Sequence, residues 1–510
     1  RMNCAAELLD RQVHDGNGER VALRFPGGTW TYRALLEHAN RIAHVLTEDL
    51  GLVPGNRVLL RGPNNPMMAA CWFAVLKAGG IVVCTMPLLR ARELSYIIEK
   101  AKIGLALCDS RVMQELEQAS ANAPTLERIA EFGSDHAASL DRRARARPST
   151  FANVETAADD VALIAFTSGT TGQAKGTMHF HRDVLAICDC FPPHILRATR
   201  EDIFCGSPPL AFTFGLGGLL LFPMRIGAST VLLEQAAPPQ LLEGIQNFRA
   251  TVCFTAPTAY RAMATSSAQF DLSSLKKCVS AGEHLPLATF EKWRDATGLR
   301  IIDGIGSTEM LHIFISASGD DIRPGATGRA VPMYRARIMD ADGDEVPPGT
   351  IGHLAVQGPT GCRYLDDIDR QRAYVKNGWN LPGDSYRMDD DGYFWYQART
   401  DDLIVSSGYK ISGPEVENAL LDHPGVAECG VVGVPDDERG CIVKAFIVLR
   451  PGTPASEATM KQLQDFVKSQ IAPYKYPRSI EFVSALPRTE TGKLQRYRLR
   501  ESPASPRGSR

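Results

Sequence analysis

This chain has no C-x-x-C cysteine pair, little net charge and no long apolar run. Its 12 cysteines include no C-x-x-C pair. No His or Cys group has the spacing of zinc ligands, so we expect small buried thiols in a reducing compartment. A net charge of −2 offers no electrostatic footprint for nucleic acid or an anionic membrane. The longest apolar run, residues 216–224, is far shorter than the ~20 residues of a membrane span.

Length and the two chain ends set the domain expectations. A chain of 510 residues is too long for one hydrophobic core, so we expect an N-terminal domain over 1–400 and a smaller domain over 401–504. Arg1 in place of an initiating Met indicates that the native start lies upstream, and no signal peptide is evident. Residues 505–510 have the composition of a vector-derived tail. Because no signal peptide is evident, we expect a cytoplasmic protein.

Short apolar runs alternate with helical patterns along most of the chain. The sequence predicts a helix over 67–78 and strands over 57–60, 81–85, 104–108, 161–166, 228–233, 250–254, 277–280 and 299–302. This alternation is typical of mixed or parallel sheets covered by helices. We therefore expect an α/β fold whose large N-terminal domain has mixed and parallel sheets.

The pattern changes towards the C-terminus. The Gly-, Pro- and Asp-rich stretch 340–395 predicts a β-rich subdomain attached to the large domain. Beyond it, the sequence predicts helices over 414–421 and 457–470 and strands over 426–434, 443–449 and 479–483. These elements predict a small mobile α+β lid of ordinary domain size.

A glycine-rich loop follows the predicted strand 161–166. Its glycines let backbone N–H groups approach an anion, and hydroxyl side chains and one lysine surround them. It departs from the Walker pattern, because Ala174 stands where that pattern needs Gly and Gly176 where it needs Ser or Thr. Such a loop is often an ordinary turn, but the preceding strand and the lysine favour a polyphosphate site. Its candidate residues are Thr167, Ser168, Gly169, Thr170, Thr171, Gly172 and Lys175.

Further short motifs follow the loop along the chain. They are Ala281-Gly282-Glu283, Gly304-Ile305-Gly306-Ser307-Thr308-Glu309, Gly383-Asp384, Arg399-Thr400-Asp401-Asp402, Gly408-Tyr409-Lys410-Ile411 and 487–493. From about residue 20 to residue 500, their order and spacing closely resemble the adenylate-forming superfamily, which includes acyl- and aryl-CoA synthetases, luciferases and peptide-synthetase adenylation domains. The resemblance implies ATP, Mg²⁺ and coenzyme A as co-substrates.

The resemblance also implies the chemistry and its central residues. A carboxylate would attack the α-phosphorus of ATP, which releases pyrophosphate, and a thiol would then take the acyl group from the acyl-AMP. Lys493 would bridge the carboxylate and the α-phosphate as a mobile positive charge. Thr308 would bond the α-phosphate, and Glu309 would supply an oxygen ligand to Mg²⁺.

The remaining nucleotide contacts are assigned through the same motifs. Asp384 is expected to accept both ribose hydroxyls. Arg399 is expected at ribose or phosphate, or else in an ion pair with Asp401 or Asp402. Many relatives carry Tyr at the position of Ile305, so an aliphatic contact must replace aromatic stacking on adenine. The expected adenine contacts are Gly282, Glu283, Gly304 and Ile305.

The C-terminal motifs imply a lid that rotates between the two half-reactions. The hinge is expected at Asp401. Gly408 would line a narrow tunnel for the pantetheine arm, where only a residue without Cβ fits. Tyr409 belongs to the same motif, and Lys475 is a candidate for the CoA phosphates. The sequence leaves a monomer and a homodimer equally open.

The acyl pocket is expected between Phe212, the strand end at Ala281 and a loop over 304–312. Residues 208–217 and 303–312 resemble most the benzoate and 2-aminobenzoate CoA ligases. Aromatic walls and glycines suit a planar ring, so an aryl acid is predicted, with 2-aminobenzoate slightly preferred over benzoate. The candidate pocket residues are Phe212, Thr213, Ala281, Gly306 and His312.

Other functions stay open at this point. A medium-chain or branched acid is the first alternative to an aryl acid. A stand-alone adenylation domain that loads a carrier protein is the second, although the chain ends soon after Lys493, where a carrier domain would follow. A non-enzymatic nucleotide-binding module would not need Lys493, the Asp401 hinge and the Gly408 tunnel together.

Overall fold

The computed structural model describes residues 1–167, 174–406, 409–436, 440–471, 473–489 and 492–501. Strands and helices alternate in its first part, as the apolar runs predict. The elements are β1 (Val21–Phe25), β2 (Gly28–Thr31), α1 (Tyr32–His44), β3 (Arg57–Arg61), α2 (Pro66–Lys77), β4 (Ile81–Thr85), α3 (Ala91–Ala101), β5 (Leu105–Asp109), α4 (Met113–Ser120), β6 (Arg128–Phe132), α5 (Leu140–Arg145), β7 (Val161–Phe166) and β8 (Gly176–Phe180).

The alternation continues through the next part of the chain. Its elements are α6 (His181–Phe191), β9 (Ile203–Gly206), α7 (Thr213–Leu216), α8 (Phe222–Ile226), β10 (Ser229–Val231), α9 (Pro238–Phe248), β11 (Val252–Thr255), α10 (Pro257–Ser266), β12 (Lys277–Ser280), α11 (Leu287–Thr297), β13 (Ile301–Gly306), β14 (Ile313–Ser316) and β15 (Arg329–Ala330). A wide π-helical turn, Gly217–Leu221, joins α7 to α8 into one helical segment.

These strands form two sheets. The first has the order β6-β5-β3-β4-β7-β8 and is parallel except for the β7–β8 pair. The second has the order β15-β14-β13-β12-β11-β9-β10-β1-β2. Its strands from β13 to β1 are parallel, and antiparallel pairs close both edges. The α/β prediction is therefore confirmed.

Helix α2 shows how the sequence builds this core. Asn65 caps it by accepting the Met68 N–H, and Pro66 fits its first turn, where no N–H partner is needed. Apolar residues surround the helix, and residues 68–77 are all buried. The larger core contains side chains of both sheets, of α1 and of α2. A second core covers the opposite face of the first sheet with α3 and α4.

A third, antiparallel sheet follows as the predicted β-rich region. Its strands are β16 (Arg335–Met339), β17 (Ile351–Gln357), β18 (Val375–Lys376), β19 (Trp379–Asn380), β20 (Asp384–Met388) and β21 (Phe394–Arg399), with helix α12 (Ile368–Tyr374) before β18. Residues 384 and 399 are register partners at the β20–β21 edge. This pairing brings two of the predicted nucleotide motifs together.

The C-terminal part has its own sheet and its own core. Its elements are β22 (Ile404–Ser406), β23 (Tyr409–Ile411), α13 (Gly413–Leu421), β24 (Val426–Asp436), β25 (Gly440–Leu449), α14 (Glu457–Gln470), β26 (Ser479–Phe482) and α15 (Arg496–Glu501). This is the smaller α+β unit that the sequence predicts. Over the described ranges, no helix is long and apolar enough to cross a membrane.

Two features of the large domain differ from the sequence prediction. The start of the predicted 304–312 loop is strand, because Gly304 and Ile305 pair with Ser316 and Ile315 of β14. The β1–β2 hairpin was not predicted, and β1 joins the second sheet beside β10. In both places a partner strand distant in sequence decides the local conformation.

Candidate active site

Several predicted motifs meet at the ends of neighbouring parallel strands. Ala281 to Glu283 follow β12, and residues 304–309 end β13 and turn towards β14. These strands are adjacent, with Ser280 opposite Asp303. Ligands of open α/β sheets bind outside the carboxyl ends of such strands. The fold therefore places both predicted adenine motifs at one edge, where the general rule expects a ligand.

The glycine-rich loop is held at its two ends. The Thr167 N–H donates to the Lys175 carbonyl at 3.0 Å, and the Lys175 N–H donates to Thr167 Oγ1 at 3.4 Å. The predicted phosphate ligands between them, residues 168–172, lie outside the described residues. β7 before the loop and β8 after it pair antiparallel, which keeps the loop ends together.

The turn after β13 carries Thr308 and Glu309. Glu309 is 9% exposed, and its Oε1 accepts the Tyr364 hydroxyl at 2.7 Å. The ring of His179 donates from Nε2 to the Thr308 carbonyl at 2.8 Å. Neither Tyr364 nor His179 was predicted from the sequence, because each contact joins segments more than fifty residues apart.

Magnesium is tested against the donors at this turn. In the portion of the chain that the structure describes, no group of three or more His, Cys, Asp or Glu side chains can hold a metal ion. Mg²⁺ at nucleotide sites commonly uses one or two carboxylates together with substrate phosphates. The hard carboxylate of Glu309 therefore fits Mg²⁺ that arrives with the phosphates of ATP.

Asp384 and Arg399 form an ion pair across the β20–β21 edge. Arg399 Nη1 lies 3.0 Å from Asp384 Oδ2 and also donates to the Pro382 carbonyl. The structure thus pairs Arg399 with Asp384, which the sequence prediction did not consider as a partner, and pairs Asp402 with Arg500. The side chain of Asp401 lies outside the described residues. Burial raises the pKa of Asp384, and the neighbouring Arg399 guanidinium opposes that rise.

Lys493 lies close enough to the large domain to interact with Glu283 and Asp384. Surrounding protein atoms lower the pKa of Lys493 by desolvation and Glu283 opposes that effect, while the residue keeps part of its surface exposed. Burial raises the pKa of Glu283, and Arg488 and Lys493 counteract it. The fold thereby brings Glu283 and Lys493 together between the large domain and the lid, although they are about two hundred residues apart in the sequence.

The ends of β12 and β13, where adenine is expected, also contain Asp303 and a stack of His284 on Tyr396, none of which the sequence predicted as site residues. Burial raises the pKa of Asp303 to about 8, and its Oδ1 has no hydrogen-bond partner among the described residues. The His284 ring stacks on Tyr396, with centroids 5.1 Å apart. Asp303 had a sequence signal, since it is an acid directly after the apolar strand 299–302. Tyr396 had none, because only the third sheet brings it here.

The predicted pocket residue His312 lies in a box of phenylalanine rings. Its ring centroid is 4.5 Å from Phe222, and Phe191, Phe214 and Phe254 also contact it. Gly217 and Gly306 permit this packing, because a Cβ at either would lie 2.3 Å from the His312 ring and 2.6 Å from the His312 carbonyl, respectively.

His312 is a polar ring inside an apolar box. It is 3% exposed. The Phe214 backbone interacts with the ring, but neither ring nitrogen makes a hydrogen bond of ordinary geometry among the described residues. Burial lowers the pKa of His312 to about 3, so the ring is neutral at neutral pH. A buried polar group without a partner is costly. The His312 ring therefore keeps unused hydrogen-bonding capacity inside apolar surroundings.

Phe212 and Thr213 lie at the start of the helical segment that carries Phe214. Phe212 lines a small cavity with Trp72, Cys84 and Thr213, on the side of the first sheet. The ring that approaches His312 is Phe214, 5.8 Å away. Phe212 and Phe214 therefore face different surroundings, and which of the two rings approaches His312 is visible only in the structure.

The predicted CoA and hinge positions are only partly described. Asp401 lies in the short turn Thr400–Asp402 between β21 and β22. Gly408 lies outside the described residues, and Tyr409 begins β23. Lys475 forms an ion pair with Glu415 at 2.6 Å within the lid. In this arrangement Lys475 neutralises a neighbouring carboxylate, so its predicted contact with CoA stays a prediction.

Comparison with known proteins gives matches over almost the whole chain. The pattern of the AMP-binding enzyme family matches residues 9–363, and that of the AMP-binding enzyme C-terminal domain matches residues 415–493. The chain is 34% identical to the benzoate–CoA ligase of Thauera aromatica over 508 residues, 98% of this chain and 96% of that protein. It is 32% identical to the mouse mitochondrial acyl-coenzyme A synthetase ACSM3 over 501 residues, covering 96% and 85% of the two chains.

A solved structure also matches this chain over almost its whole length. The anthranilate CoA ligase AuaEII, solved in complex with anthranoyl-AMP, superposes with a TM-score of 0.93 and 36% sequence identity. The match covers 98% of this chain and 96% of that structure. The similarity therefore includes the large domain, the third sheet and the C-terminal unit.

Proposed function

The chain belongs to the AMP-binding enzyme family, and from that premise we propose that it is an ATP-dependent aryl-CoA ligase. It would activate an aromatic carboxylate as acyl-AMP with release of pyrophosphate, and then transfer the acyl group to the thiol of CoA with release of AMP. The proposed acids are 2-aminobenzoate and benzoate. Relatives named benzoate–CoA ligase and anthranilate CoA ligase support this class of substrate.

The observation that carries the aryl assignment is the phenylalanine box around His312. Flat apolar walls suit a planar ring, which loses little rotational freedom on binding. The two unpartnered nitrogens of His312 suit a ring that also bears a polar substituent, because that substituent would satisfy a buried group. This favours 2-aminobenzoate over benzoate.

At the nucleotide, we propose the roles that the motif resemblance implies. We assign the ribose hydroxyls to Asp384, the α-phosphate to Thr308 and the outer phosphates to the loop between Thr167 and Lys175. Lys493 would stabilise the negative charge that builds up between the acyl carboxylate and the α-phosphate. Mg²⁺, when bound through Glu309 and the phosphates, would neutralise part of the charge on the leaving pyrophosphate.

Adenine and CoA have more specific assignments. Asp303 Oδ1 is the acceptor that we assign to the adenine amino group, and Ile305 would pack on the ring beside Gly282, Glu283 and Gly304. Rotation at Asp401 would exchange Lys493 for the Gly408 segment, which carries Tyr409 and would admit the pantetheine thiol. If Lys475 leaves Glu415 in that state, it would contact the CoA phosphates. Otherwise it would remain in its structural ion pair with Glu415.

The test is a panel of carboxylic acids with ATP, Mg²⁺ and CoA, followed by pyrophosphate and AMP release. We expect 2-aminobenzoate and benzoate to give the highest kcat/KM. A medium-chain acid is the alternative, because relatives named acyl-coenzyme A synthetase match at similar identity. Faster turnover of hexanoate or octanoate than of every benzoate would replace the aryl assignment. Release of pyrophosphate without any CoA thioester would instead support carrier-protein loading.

A further inference from the structure

We propose that Tyr364 is a positioning residue for Glu309. Its hydroxyl holds one carboxylate oxygen and so turns the other towards the Mg²⁺–nucleotide. This inference rests on the proposed function, since it concerns the ATP that the enzyme would use. The sequence motifs did not include Tyr364, and its role follows from contacts between distant segments.

The contact has the geometry of a strong hydrogen bond. The Tyr364 hydroxyl donates to Glu309 Oε1 over 2.7 Å, and the two residues are only 6% and 9% exposed. The phenol is the donor and the carboxylate is the acceptor in this contact. Hydrogen bonds to a carboxylate are shorter and stronger than those between neutral groups. The phenol therefore fixes one rotamer of Glu309.

Tyr364 is itself fixed to the strand that leaves the glycine-rich loop. Residues 177 and 364 form an antiparallel bridge. On either side, the Met178 N–H donates to the Arg363 carbonyl at 2.8 Å, and the Leu365 N–H donates to the Gly176 carbonyl at 2.9 Å. Strand β8 begins directly after the loop. The start of β8 at Gly176 and the Glu309 carboxylate are thereby joined by one continuous hydrogen-bonded path.

The same strand holds the turn at a second point. His179 on β8 donates to the Thr308 carbonyl at 2.8 Å, and burial lowers the pKa of His179 to about 4, which keeps the ring neutral. Thr308 and Glu309 are therefore anchored by two side chains, one on β8 and one bonded to it. A merely space-filling tyrosine would not need its hydroxyl on the carboxylate.

The functional reason lies in what Mg²⁺ demands of its ligands. The ion requires near-octahedral oxygen geometry, and residues that orient its ligands typically alter metal affinity or activity by about 10–100-fold when they are changed. A Glu309 carboxylate free to rotate would offer its oxygen in the correct direction only part of the time. The Tyr364 hydroxyl removes that freedom before ATP arrives.

The experiment compares nucleotide binding with and without the ion. The purified chain is titrated with α,β-methylene-ATP by calorimetry, once in MgCl₂ and once in EDTA, for the parent protein and Tyr364→Phe. In EDTA, we expect Tyr364→Phe to bind the analogue with a Kd within about twofold of the parent's Kd. In MgCl₂, we expect the Kd of the variant to be roughly tenfold higher than that of the parent, because most of the affinity that Mg²⁺ adds is lost. The melting temperature serves as the fold control.

Tyr374→Phe is the matched variant. The Tyr374 hydroxyl lies 3.2 Å from Ser307 Oγ, and its ring packs edge-on against Tyr364, but it does not bond Glu309. We expect this variant to keep the Mg²⁺ gain. The inference is overturned by an unchanged Mg²⁺ gain in Tyr364→Phe, by an equal loss in Tyr374→Phe, or by a parallel loss in MgCl₂ and EDTA.

The design separates this inference from the proposed function. A parent protein that binds no α,β-methylene-ATP in either buffer contradicts the proposed function and, with it, the role of Tyr364. A parent protein that binds the analogue with Mg²⁺ dependence, beside a Tyr364→Phe variant with the same dependence, overturns only the positioning role. Pyrophosphate release at rising MgCl₂ gives an independent readout, and we expect about tenfold higher half-saturation in Tyr364→Phe.

Discussion

The expected nucleotide side and the expected acyl side of the cleft differ in how their polar groups are paired. On the expected nucleotide side, the two acids assigned to ribose and Mg²⁺ are already paired, Asp384 with Arg399 and Glu309 with Tyr364, while Asp303 Oδ1 has no hydrogen-bond partner among the described residues. On the expected acyl side, one neutral polar ring, His312, stands among phenylalanines without a hydrogen bond of ordinary geometry. We therefore propose that Asp384 and Glu309 are positioned in advance by protein partners, whereas Asp303 and His312 keep hydrogen-bonding capacity for a ligand.

The sharpest test of the charged side is Lys493→Ala. We expect acyl-AMP formation to slow by roughly 10²–10³-fold, which is the scale of losing one preorganised charge at the reacting centre. Thioester formation from supplied aroyl-AMP should survive nearly intact, because Lys493 is assigned only to the first step. Single-turnover measurement of each half-reaction checks this. Equal damage to both steps would remove Lys493 from its assigned role.

The second test asks whether one cleft serves both steps through lid rotation. Proline fixes φ near −65° and removes a backbone donor, so Asp401→Pro should block rotation at the turn Thr400–Asp402. We expect adenylation to continue and thioester formation to fall on the order of a hundredfold. The two half-reactions are again measured separately. Unchanged overall turnover would refute a hinge at this position.

The third test concerns the pH dependence of the free energy of unfolding that burial of the His312 ring creates. The folded-state pKa of His312 is lowered to about 3, so the unfolded chain binds the proton first as pH falls below ~6.5. The contribution of neutral His312 to the free energy of unfolding is therefore complete above about pH 6.5 and is lost as the pH falls towards 3. Between about pH 7 and about pH 5, this loss amounts to ~2 kcal/mol.

His312→Leu isolates that contribution, because leucine does not titrate. The urea transition of the large domain, followed at both pH values, should lose ~2 kcal/mol less stability in His312→Leu than in the parent. The same variant should favour benzoate over 2-aminobenzoate more than the parent does. An identical pH dependence in both proteins would show that His312 is not held neutral by burial.

The smallest expected effect concerns the shape of the box. We expect kcat/KM for benzoate or 2-aminobenzoate to exceed that for hexanoate by at least about tenfold, or roughly 1.4 kcal/mol. Phe214→Ala should narrow this gap, because its ring faces His312. Phe212→Ala is the matched control, since Phe212 lines the neighbouring cavity. A larger effect from Phe212→Ala would reverse the assignment of the two rings.

Much of the fold could be predicted, because strongly apolar runs have few alternatives. The runs at 57–60, 81–85 and 277–280 are strands within one residue of their predicted ends. The predicted helix 67–78 spans residues 66–77. The extension of β13 to Gly306 was not predicted, since Gly304 and Gly306 have poor strand propensity and pair only through β14. Propensity was overridden by tertiary pairing.

The candidate site divides in the same way. The α/β class, the family resemblance and the order of the motifs could be recognised from the sequence, because apolar runs, glycine-rich turns and charged turn residues are local features. Three contacts became known from the folded structure: Arg399 pairs with Asp384, Phe214 rather than Phe212 faces His312, and Tyr364 donates to Glu309. The physical reason is that helical phase and contacts across distant strands depend on packing, which no short stretch of sequence contains.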